Sequence, residues 1–413
     1  MNNNKKIELL QKIKTFVGID IAKRNHFASI IDKQGKEISV GLKISNDKQG
    51  FDNLEEQLKL WNKDEIMIEV EPTGHYWKSM GHYLKDRGYL VTLVNPYHVK
   101  LTKELRDNSR SKNDIKDSKI IGHLIGEGKF LETKLLMDIN AELRNITNLR
   151  TQLTENHSRV KIRIKALLDE YLPEYEDCFS DVTCLTSLSL LKEYTLQKLK
   201  SGQLRDQKIE LIMVKSRKII TQQKAEKIVT RLSTSIGVCE GIESAQFQFN
   251  CLLEQLNLYR IQLQAVEIKI IRILESNEEA NCLLKIKGLG SLLVGSLLGQ
   301  IGSFHDFEHY KQILKFAGLN PVENSSGVHK SKITASKRGR STLRNILHQI
   351  ALSLVLNDSE FKKLYEYKVD ILKKPKMVAL TAVAIKFLRI VFYVIKNKKE
   401  YDNKFVLEGL SIN

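Results

Sequence analysis

The chain has few cysteines, and their placement argues against two common kinds of stabilising site. Its 413 residues include five cysteines, at Cys178, Cys184, Cys239, Cys251 and Cys282. The number is odd, and no two of them have the spacing of paired metal ligands. A disulfide framework is indicated by an even number of cysteines, and a zinc site by cysteines at such a spacing. We therefore expect a reducing compartment, no disulfide framework and no zinc site.

A long uninterrupted apolar run is also missing. The most apolar stretch, residues 378–395, contains Lys386 and Arg389, so we predict a packed helix there rather than a membrane span. The opening residues are rich in asparagine and lysine and lack the apolar region of a signal peptide. We expect no membrane partner and a cytoplasmic location.

Acidic residues are scarce relative to basic ones. The chain has 49 Asp and Glu against 66 Lys and Arg, which gives a formal net charge of +17. A balance this basic favours a polyanionic partner, and without a membrane signal that partner is nucleic acid. We therefore expect the protein to be associated with the nucleoid.

The length of the chain exceeds what one hydrophobic core supports, and the pattern changes character twice. Residues 14–130 have a mixed α/β pattern, whereas the rest is strongly helical. We predict a first domain at 14–130, a coiled-coil region at 138–275 with an inserted tip at about 172–241, and a helical C-terminal domain at 280–400.

The first domain has the element order of an RNase H-like sheet. Three apolar β-branched runs are followed by alternating helices and strands, with turn residues at the boundaries. The closing element is a helix that begins near Asp114. The predicted strands cover residues 15–21, 26–31, 37–44, 65–71 and 89–94, and the predicted helices between them cover 47–61 and 76–85.

Four carboxylates occupy the positions where strands of such a sheet end or its closing helix begins. Asp114 and Asp117 are three residues apart, so both face the same side of a helix. Asp20 ends an apolar strand, where a carboxylate is unfavourable unless it is paired or bound to a metal. Glu71 ends another strand, and Glu69 competes with it because strand alternation puts both on one face.

These acids predict a site for Mg²⁺, which takes hard oxygen ligands, with room for two ions. A plainer interpretation remains open for each residue. The two helix acids would form a solvated first turn favoured by the helix dipole, Asp20 a strand-end turn and Glu71 a surface acid before proline.

Apolar residues in the middle region repeat four and three apart, which predicts two arms of a coiled coil, within one chain, between chains or both. Arg150 and His157 interrupt the first arm, where they would set register or partner choice. No function follows from the tip between the arms. The two seams are Ile139, Leu143, Ile146, Leu153, Val160, Ile164 and Leu167, and then Leu252, Leu256, Tyr259, Leu263, Val266, Ile270 and Ile273.

The C-terminal region contains two loops that suit phosphate contacts. Gly288 and Gly290 lie between two apolar helical stretches, as in a helix-hairpin-helix turn, although a plain helix–helix turn has the same residues. Further on, Ser325 and Ser326 precede a glycine and a basic cluster, and the alternative there is an ordinary flexible loop. The basic residues of that cluster are Lys330, Lys332, Lys337, Arg338, Arg340 and Arg344.

Seven motifs in register give the chain a family resemblance. Residues 16–23, 71–77 and 112–118 resemble the N-terminal motifs of the DEDD transposases of the insertion sequence 110 family, described as bridge-RNA-guided recombinases. Residues 288–290, 317–321, 326–327 and 336–344 resemble the motifs of that family's C-terminal transposase domain. The resemblance covers nearly the whole chain. Among modest departures, Ser118 replaces the family's usual alanine.

The resemblance implies a RuvC-like first domain, an oligomerising coiled coil and a serine-bearing C-terminal domain. It implies that Asp20, Glu71, Asp114 and Asp117 form the Mg²⁺-binding tetrad, which favours Glu71 over Glu69. Ser326 would be the nucleophile, with Ser325 as the alternative. Lys23 and Lys112 lie in the matching motifs and are expected at nucleic acid.

The implied activity is RNA-guided, site-specific recombination through a phosphoserine intermediate. The partners would be donor and target DNA, a noncoding bridge RNA and further copies of the chain, forming a dimer to a tetramer. Two alternatives stay open from the residues alone. One is a RuvC-like junction nuclease that uses water, and the other is a non-catalytic coiled-coil scaffold that binds nucleic acid.

Overall fold

The computed structural model describes residues 3–72, 74–107, 114–132, 138–322 and 334–408. Contacts divide the chain into two compact units, Met1–Leu136 and Met137–Asn413.

A mixed β-sheet forms the centre of the first unit. Among its described residues six strands lie in the order β3-β2-β1-β4-β5-β6. The central strand β1 runs antiparallel to β2 and parallel to β4, and the last strand pairs antiparallel with β5. The strands are β1 (Thr15–Asp20), β2 (Asn25–Asp32), β3 (Glu37–Ser45), β4 (Ile66–Val70), β5 (Leu90–Val94) and β6 (Phe130–Glu132).

Helices cover both faces of this sheet. Because side chains alternate along a strand, Val17 and Ile19 of β1 pack on one face with the apolar sides of α2 and α3. Phe16 packs on the opposite face with Ile125 of α5 and is joined there by residues of α1. The helices are α1 (Asn3–Lys12), α2 (Lys48–Leu58), α3 (Trp77–Asp86), α4 (Pro96–Asp107) and α5 (Asp114–Gly126).

The mixed α/β architecture predicted for this unit is confirmed, and its strand order fits an RNase H-like sheet. Three elements were not predicted separately: α1, α4 and β6. The helix α1 is short and strongly polar, and β6 has only three residues, too few to show an alternating pattern.

Two long helices, α6 (Asp138–Tyr171) and α11 (Ile242–Glu275), run antiparallel through the second unit. Their apolar residues face each other, and Arg150 of α6 forms an ion pair with Glu267 of α11 at 2.9 Å. The second polar interruption, His157, has a buried Nε2 with no hydrogen-bond partner among the described residues. The pairing is therefore intramolecular, and supercoiling between chains stays a prediction.

The second unit has two apolar clusters. One joins the first half of α6 and the second half of α11 to the C-terminal helices. The other joins the opposite ends of α6 and α11 to the helices of the tip. The remaining elements are α7 (Leu185–Glu193), α8 (Leu196–Lys200), α9 (Arg205–Lys215), α10 (Gln222–Ser233), α12 (Glu278–Leu284), α13 (Ser291–Ile301), α14 (Tyr310–Ala317), β7 (Pro321–Val322), β8 (Thr334–Ala335), α15 (Ser341–Asn357), α16 (Ser359–Glu366), α17 (Lys376–Lys396) and α18 (Lys404–Leu407).

The helix α17 corrects the expectation that no apolar run is long enough for a membrane. The helix has 21 residues and contains a stretch of mean hydropathy 2.1. By length and composition alone it is therefore long and apolar enough to cross a membrane. The two charged residues in this stretch, Lys386 and Arg389, are too few to make it polar. Its residues Val383, Phe387 and Leu388 are nevertheless fully buried among the C-terminal helices, as predicted for a packed helix.

Candidate active site

The candidate site lies where β1 and β4 end, next to the start of α5. Asp20 is the last residue of β1, and Glu71 directly follows β4. The two strands are parallel and in register, and the Glu71 amide donates a hydrogen bond to the Ile19 carbonyl. The two carboxylates therefore occupy matching positions on neighbouring strands.

A glycine contact brings α5 close to the central strand. A Cβ atom on Gly18 would lie 2.2 Å from the backbone nitrogen of Gly122 and from the backbone oxygen of Ser118. Only a residue without a side chain allows the helix backbone to approach this closely. Asp114 and Asp117, in the first turn of α5, are thereby placed beside the end of β1.

A pair of buried hydroxyl groups fixes the same helix to β2. The Oγ atoms of Ser29 and Ser118 are 2.7 Å apart, and both residues are fully buried. Ser118 also donates to the Ile115 carbonyl at 2.9 Å, so its single proton is used there. Ser29 is therefore the donor in the serine pair.

Asp20 experiences the charges of the other three acids. Burial, followed by the negative charges of Asp117, Glu71 and Asp114, raises the pKa of the Asp20 carboxyl to about 7. The ammonium group of Lys103 opposes this rise. The four carboxylates that the sequence predicts as one site are thus close enough to interact electrostatically.

Lys103 of α4 provides the counter-charge inside this group. Its Nζ lies 2.5 Å from Oδ2 of Asp117, whose side chain is only 7% exposed. A buried carboxylate is unfavourable without such a partner. The sequence did not point to Lys103, because no local pattern shows which cation reaches a given acid.

The donor set suits a hard divalent cation, since it consists of carboxylate oxygens and its mutual repulsion raises the pKa of Asp20. Within the described ranges, however, no three acidic, histidine or cysteine side chains already surround one point where an ion would fit. Asp117 is held by Lys103 instead. A metal ion bound at this group would therefore share or compete with Lys103 for the Asp117 carboxylate.

Glu69 and Glu71 differ in their surroundings. Glu69 is completely buried in β4, and neither of its carboxylate oxygens has a hydrogen-bond partner among the described residues. Burial raises the pKa of its carboxyl to about 9, and only Lys6 opposes the rise. Glu69 does not contribute to the shift at Asp20, whereas Glu71 does. Glu69 is thus a neutral core residue at neutral pH.

Ser325, Ser326, Lys330 and Lys332 lie outside the described residues, and so does Lys112 of the first unit. The segments on either side of the serines are described and are joined together. β7 pairs antiparallel with β8, and the Ser336 hydroxyl donates to Oδ1 of Asn320 at 2.6 Å. The described residues that flank the serine segment are therefore joined by a short two-stranded ladder.

The basic residues after this ladder fall into two groups. Lys337 and Arg338 are exposed. Arg340 donates to the Gln300 carbonyl at 3.0 Å and stacks on the Phe316 ring, and Arg344 donates to the Ala317 carbonyl at 2.9 Å. The two inner arginines therefore hold helix ends in place, which leaves the two outer cations accessible to a phosphate.

The remaining predicted contacts are on surfaces or turns. Lys23 is exposed in the turn that follows Asp20. Gly288 has φ +96°, and its carbonyl accepts a hydrogen bond from the Ser353 hydroxyl at 2.6 Å. Gly290 is exposed before α13, and among the described residues no side chain caps that helix and no atom lies within 4 Å of where a Cβ of Gly290 would be.

Two family models match the chain in the order of its two units. A transposase model of the DEDD type matches residues 17–173, which include all four acids. A second model, described as transposase of the IS116/IS110/IS902 family, matches residues 280–366, which include both serines. The chain is a transposase of this family. The transposase is therefore a DNA recombination enzyme encoded by an insertion sequence.

Proteins similar to the transposase support the same assignment. It is 23% identical over 400 residues to the pilin gene-inverting protein of Moraxella bovis, covering 95% of this chain and 98% of that protein. It is 28% identical over 155 residues to the transposase for insertion sequence element IS1111A of Coxiella burnetii, covering 37% and 42%. It is 22% identical over 352 residues to an uncharacterized insertion element IS116 protein of Streptomyces clavuligerus, covering 85% and 87%. The family further suggests a divalent metal ion as cofactor.

Proposed function

We propose that the transposase cleaves and rejoins donor and target DNA at a centre formed by its four coupled acids and a serine. In this proposal Asp20, Glu71, Asp114 and Asp117 hold Mg²⁺, and Ser326 is the nucleophile. The observation that carries the proposal is the raised pKa of Asp20, because three other carboxylates act on the same group. Like charges gathered at one point favour the binding of a cation.

Mg²⁺ bound there, as one ion or two, would lower the pKa of the attacking hydroxyl and neutralise charge on the phosphate oxygens. Residues around the acids position them for binding this ion. The contact between Gly18 and α5 holds Asp117 near Asp20, and Lys103 neutralises Asp117 while no ion is bound. The exposed cations Lys337 and Arg338 suit contacts to the DNA backbone.

The covalent step conserves the phosphodiester bond energy. The Ser326 oxygen forms a bond to phosphorus as the bond from phosphorus to a deoxyribose oxygen breaks. The serine proton passes to solvent, and the released deoxyribose oxygen takes up a proton. A deoxyribose hydroxyl of the exchanged strand then attacks the phosphoserine, which restores the serine and rejoins the DNA.

Two partners complete the proposal. A noncoding bridge RNA would pair with donor and target DNA, which assigns the choice of sequence to base pairing. Two to four copies of the chain would assemble, and the serine of one copy would meet the acids of another. The outward face of α11 supports assembly, because Leu258, Ile261, Ile268 and Ile271 are exposed at spacings of three, seven and three.

A covalent adduct is the direct test of this chemistry. Purified transposase is mixed with labelled donor DNA, the RNA transcribed from the flank of its element, and Mg²⁺, and then denatured. We expect labelled DNA bound to the wild-type protein and to Ser325→Ala, and none bound to Ser326→Ala or Asp20→Asn.

The controls separate the possible failures. Cleavage without an adduct in the wild type would replace serine chemistry with hydrolysis by water, as in a junction nuclease. An adduct that survives in Ser326→Ala and disappears in Ser325→Ala would move the nucleophile to Ser325. Full activity of Asp20→Asn would remove the acids from the mechanism.

A further inference from the structure

The tip, residues 172–241, forms a compact helical subdomain between α6 and α11. Its apolar residues, among them Tyr175, Leu190 and Ile212, make a core with the adjoining ends of the two long helices. This core accounts for how the tip folds. It leaves open what the outer surface of the tip does.

That outer surface is strongly basic. Residues 195–238 contain ten lysines and arginines and only three acids, Asp206, Glu210 and Glu226. The segment is about a tenth of the chain but has a formal net charge of +7, against +17 for the whole protein. Like charges this concentrated repel one another unless a polyanion neutralises them.

Three of the ten cations are used within the fold. Lys208 is buried and donates to the carbonyls of Lys198 and Ser201, and Lys200 donates to the Gly237 carbonyl at 2.5 Å. Arg231 forms an ion pair with Asp177. Lys198 of α8 is exposed, and six further exposed cations lie on α9, α10 and the turn between them: Arg205, Lys215, Arg217, Lys218, Lys224 and Lys227. No ion pair joins any of these seven to an acid in the described part of the chain.

These six cations are arranged on α10 and its neighbours. Lys224, Lys227 and Arg231 are three and four residues apart, so they lie on one face of α10 over about 10 Å. Arg205 of α9 lines a shallow groove together with Lys227 and Arg231 of that face. Thr230 and Gln223 add hydrogen-bonding groups to the groove, and Glu226 is the one acid among its lining residues. Arg217 and Lys218 follow in the turn between the two helices, both with left-handed backbone, φ 51° and 61°.

The composition of the tip favours a double-stranded ligand. Residues 195–246 contain no phenylalanine, tyrosine or tryptophan. Proteins that bind single strands stack the bases on such rings, whereas contacts to a duplex backbone need only cations and hydrogen-bond donors. The surface therefore suits the phosphates of a duplex without reading its sequence.

We propose that the basic face of the tip, formed by Arg205, Lys215, Arg217, Lys218, Lys224 and Lys227, binds the phosphate backbone of duplex DNA. The proposal goes beyond the catalytic assignment, and it requires only that DNA is the substrate of the transposase. The tip would hold DNA away from the reacting strands and contribute affinity that does not depend on sequence.

Salt-dependent binding by the full-length protein tests the proposal. The probe is a fluorescent duplex of random sequence, titrated at several salt concentrations for wild type, Lys224→Gln/Lys227→Gln, and a variant that adds Lys215→Gln, Arg217→Asn and Lys218→Asn. Asparagine removes the charge and tolerates left-handed backbone. The matched control is Lys362→Gln/Lys363→Gln on α16, where both lysines are exposed and paired with glutamates.

Each lost phosphate contact lowers the slope of log affinity against log salt by about 0.9. We expect the slope to become shallower by about 2 in Lys224→Gln/Lys227→Gln and by about 4 in the variant with five substitutions. Binding at low salt should be at least tenfold weaker in the variant with five substitutions. The control pair should keep the wild-type slope. Thermal unfolding should be the same for all variants, since every substituted side chain is exposed.

Three results would overturn the proposal. An unchanged salt slope in the variant with five substitutions would show that the face is only solvated. An equally large change of slope in the Lys362→Gln/Lys363→Gln control would show that any loss of positive charge has this effect. A loss seen only with an RNA duplex would assign the face to RNA. The adduct assay is run on the same preparations, so a protein that forms no phosphoserine but shows the expected slopes would refute the catalytic proposal alone.

Discussion

Gly18 of β1 lies directly against the backbone of Gly122 of α5, with no room for a side chain on Gly18. A Cβ atom on Gly18 would lie 2.2 Å from the Gly122 nitrogen, and one on Gly122 would lie 2.8 Å from Cδ1 of Ile31. The strand that carries Asp20 and the helix that carries Asp117 are therefore in backbone contact. This contact connects the packing of the sheet to the geometry of the acids.

Substituting Gly18 should separate the helix from the strand. We expect Gly18→Ala to lower the free energy of unfolding by about 3 kcal/mol, because the methyl group would clash with backbone atoms that have no freedom to rotate away. Gly126→Ala on the same helix is the control. Among the described residues a Cβ atom there meets the Phe16 ring, at 3.4 Å, so Gly126→Ala should be neutral or slightly stabilising. Urea unfolding measures both, and equal stability of the two variants would contradict the tight contact.

The pair of serines that holds α5 to β2 should show a coupling energy. Ser118→Ala removes the acceptor of the buried Ser29 hydroxyl, and an unpaired buried donor costs about 1–3 kcal/mol. Ser29→Ala/Ser118→Ala leaves no unpaired hydroxyl and should be more stable than Ser118→Ala alone. A double-mutant cycle by urea unfolding checks this. Strictly additive effects would show that the hydrogen bond contributes nothing.

The sequence predicted the sheet well because each strand is an apolar run between turn residues, and a carboxylate at the end of such a run is conspicuous. It could not reveal the depth at which α5 packs, since that depends on Gly18 and Gly122 meeting across 104 positions of the chain. The role of Lys103 was not visible either, because no local pattern shows that its side chain reaches Asp117. Arg340 and Arg344 were predicted at nucleic acid from their basic neighbours, although their guanidinium groups bind backbone carbonyls.

Glu69 should make the stability of the first unit depend on pH. Its pKa is raised to about 9 by burial, from 4.5 in an unfolded chain. A raised pKa contributes stability that is complete below pH 4.5 and is lost as the pH rises toward 9. Glu69→Gln is neutral at every pH, so its stability relative to wild type should increase by up to about 1.4 kcal/mol per pH unit between pH 5 and 8. Urea unfolding across that range would contradict the assignment if the difference stayed constant.

The apolar stripe on the outside of α11 should mediate assembly. Ile261 and Ile268 are 56% and 51% exposed and lie seven residues apart, on one face of the helix. We expect Ile261→Lys/Ile268→Lys to reduce the mass measured by light scattering to that of a smaller species. Gln255→Lys/Gln262→Lys adds the same charge at the same spacing beside the stripe and should keep the wild-type mass. Identical masses for both variants would place the interface elsewhere.

Metal binding by two neighbouring glutamate variants tests the central claim most directly. Glu69 lies within β4 and Glu71 directly follows that strand, but only Glu71 acts on Asp20. The measurement is the rise in melting temperature that Mn²⁺ or Mg²⁺ causes in wild type, Glu69→Gln and Glu71→Gln. The proposed site requires the rise in wild type and Glu69→Gln and its loss in Glu71→Gln. A rise that survives in Glu71→Gln, or no rise in wild type, would contradict a metal site built from these four acids.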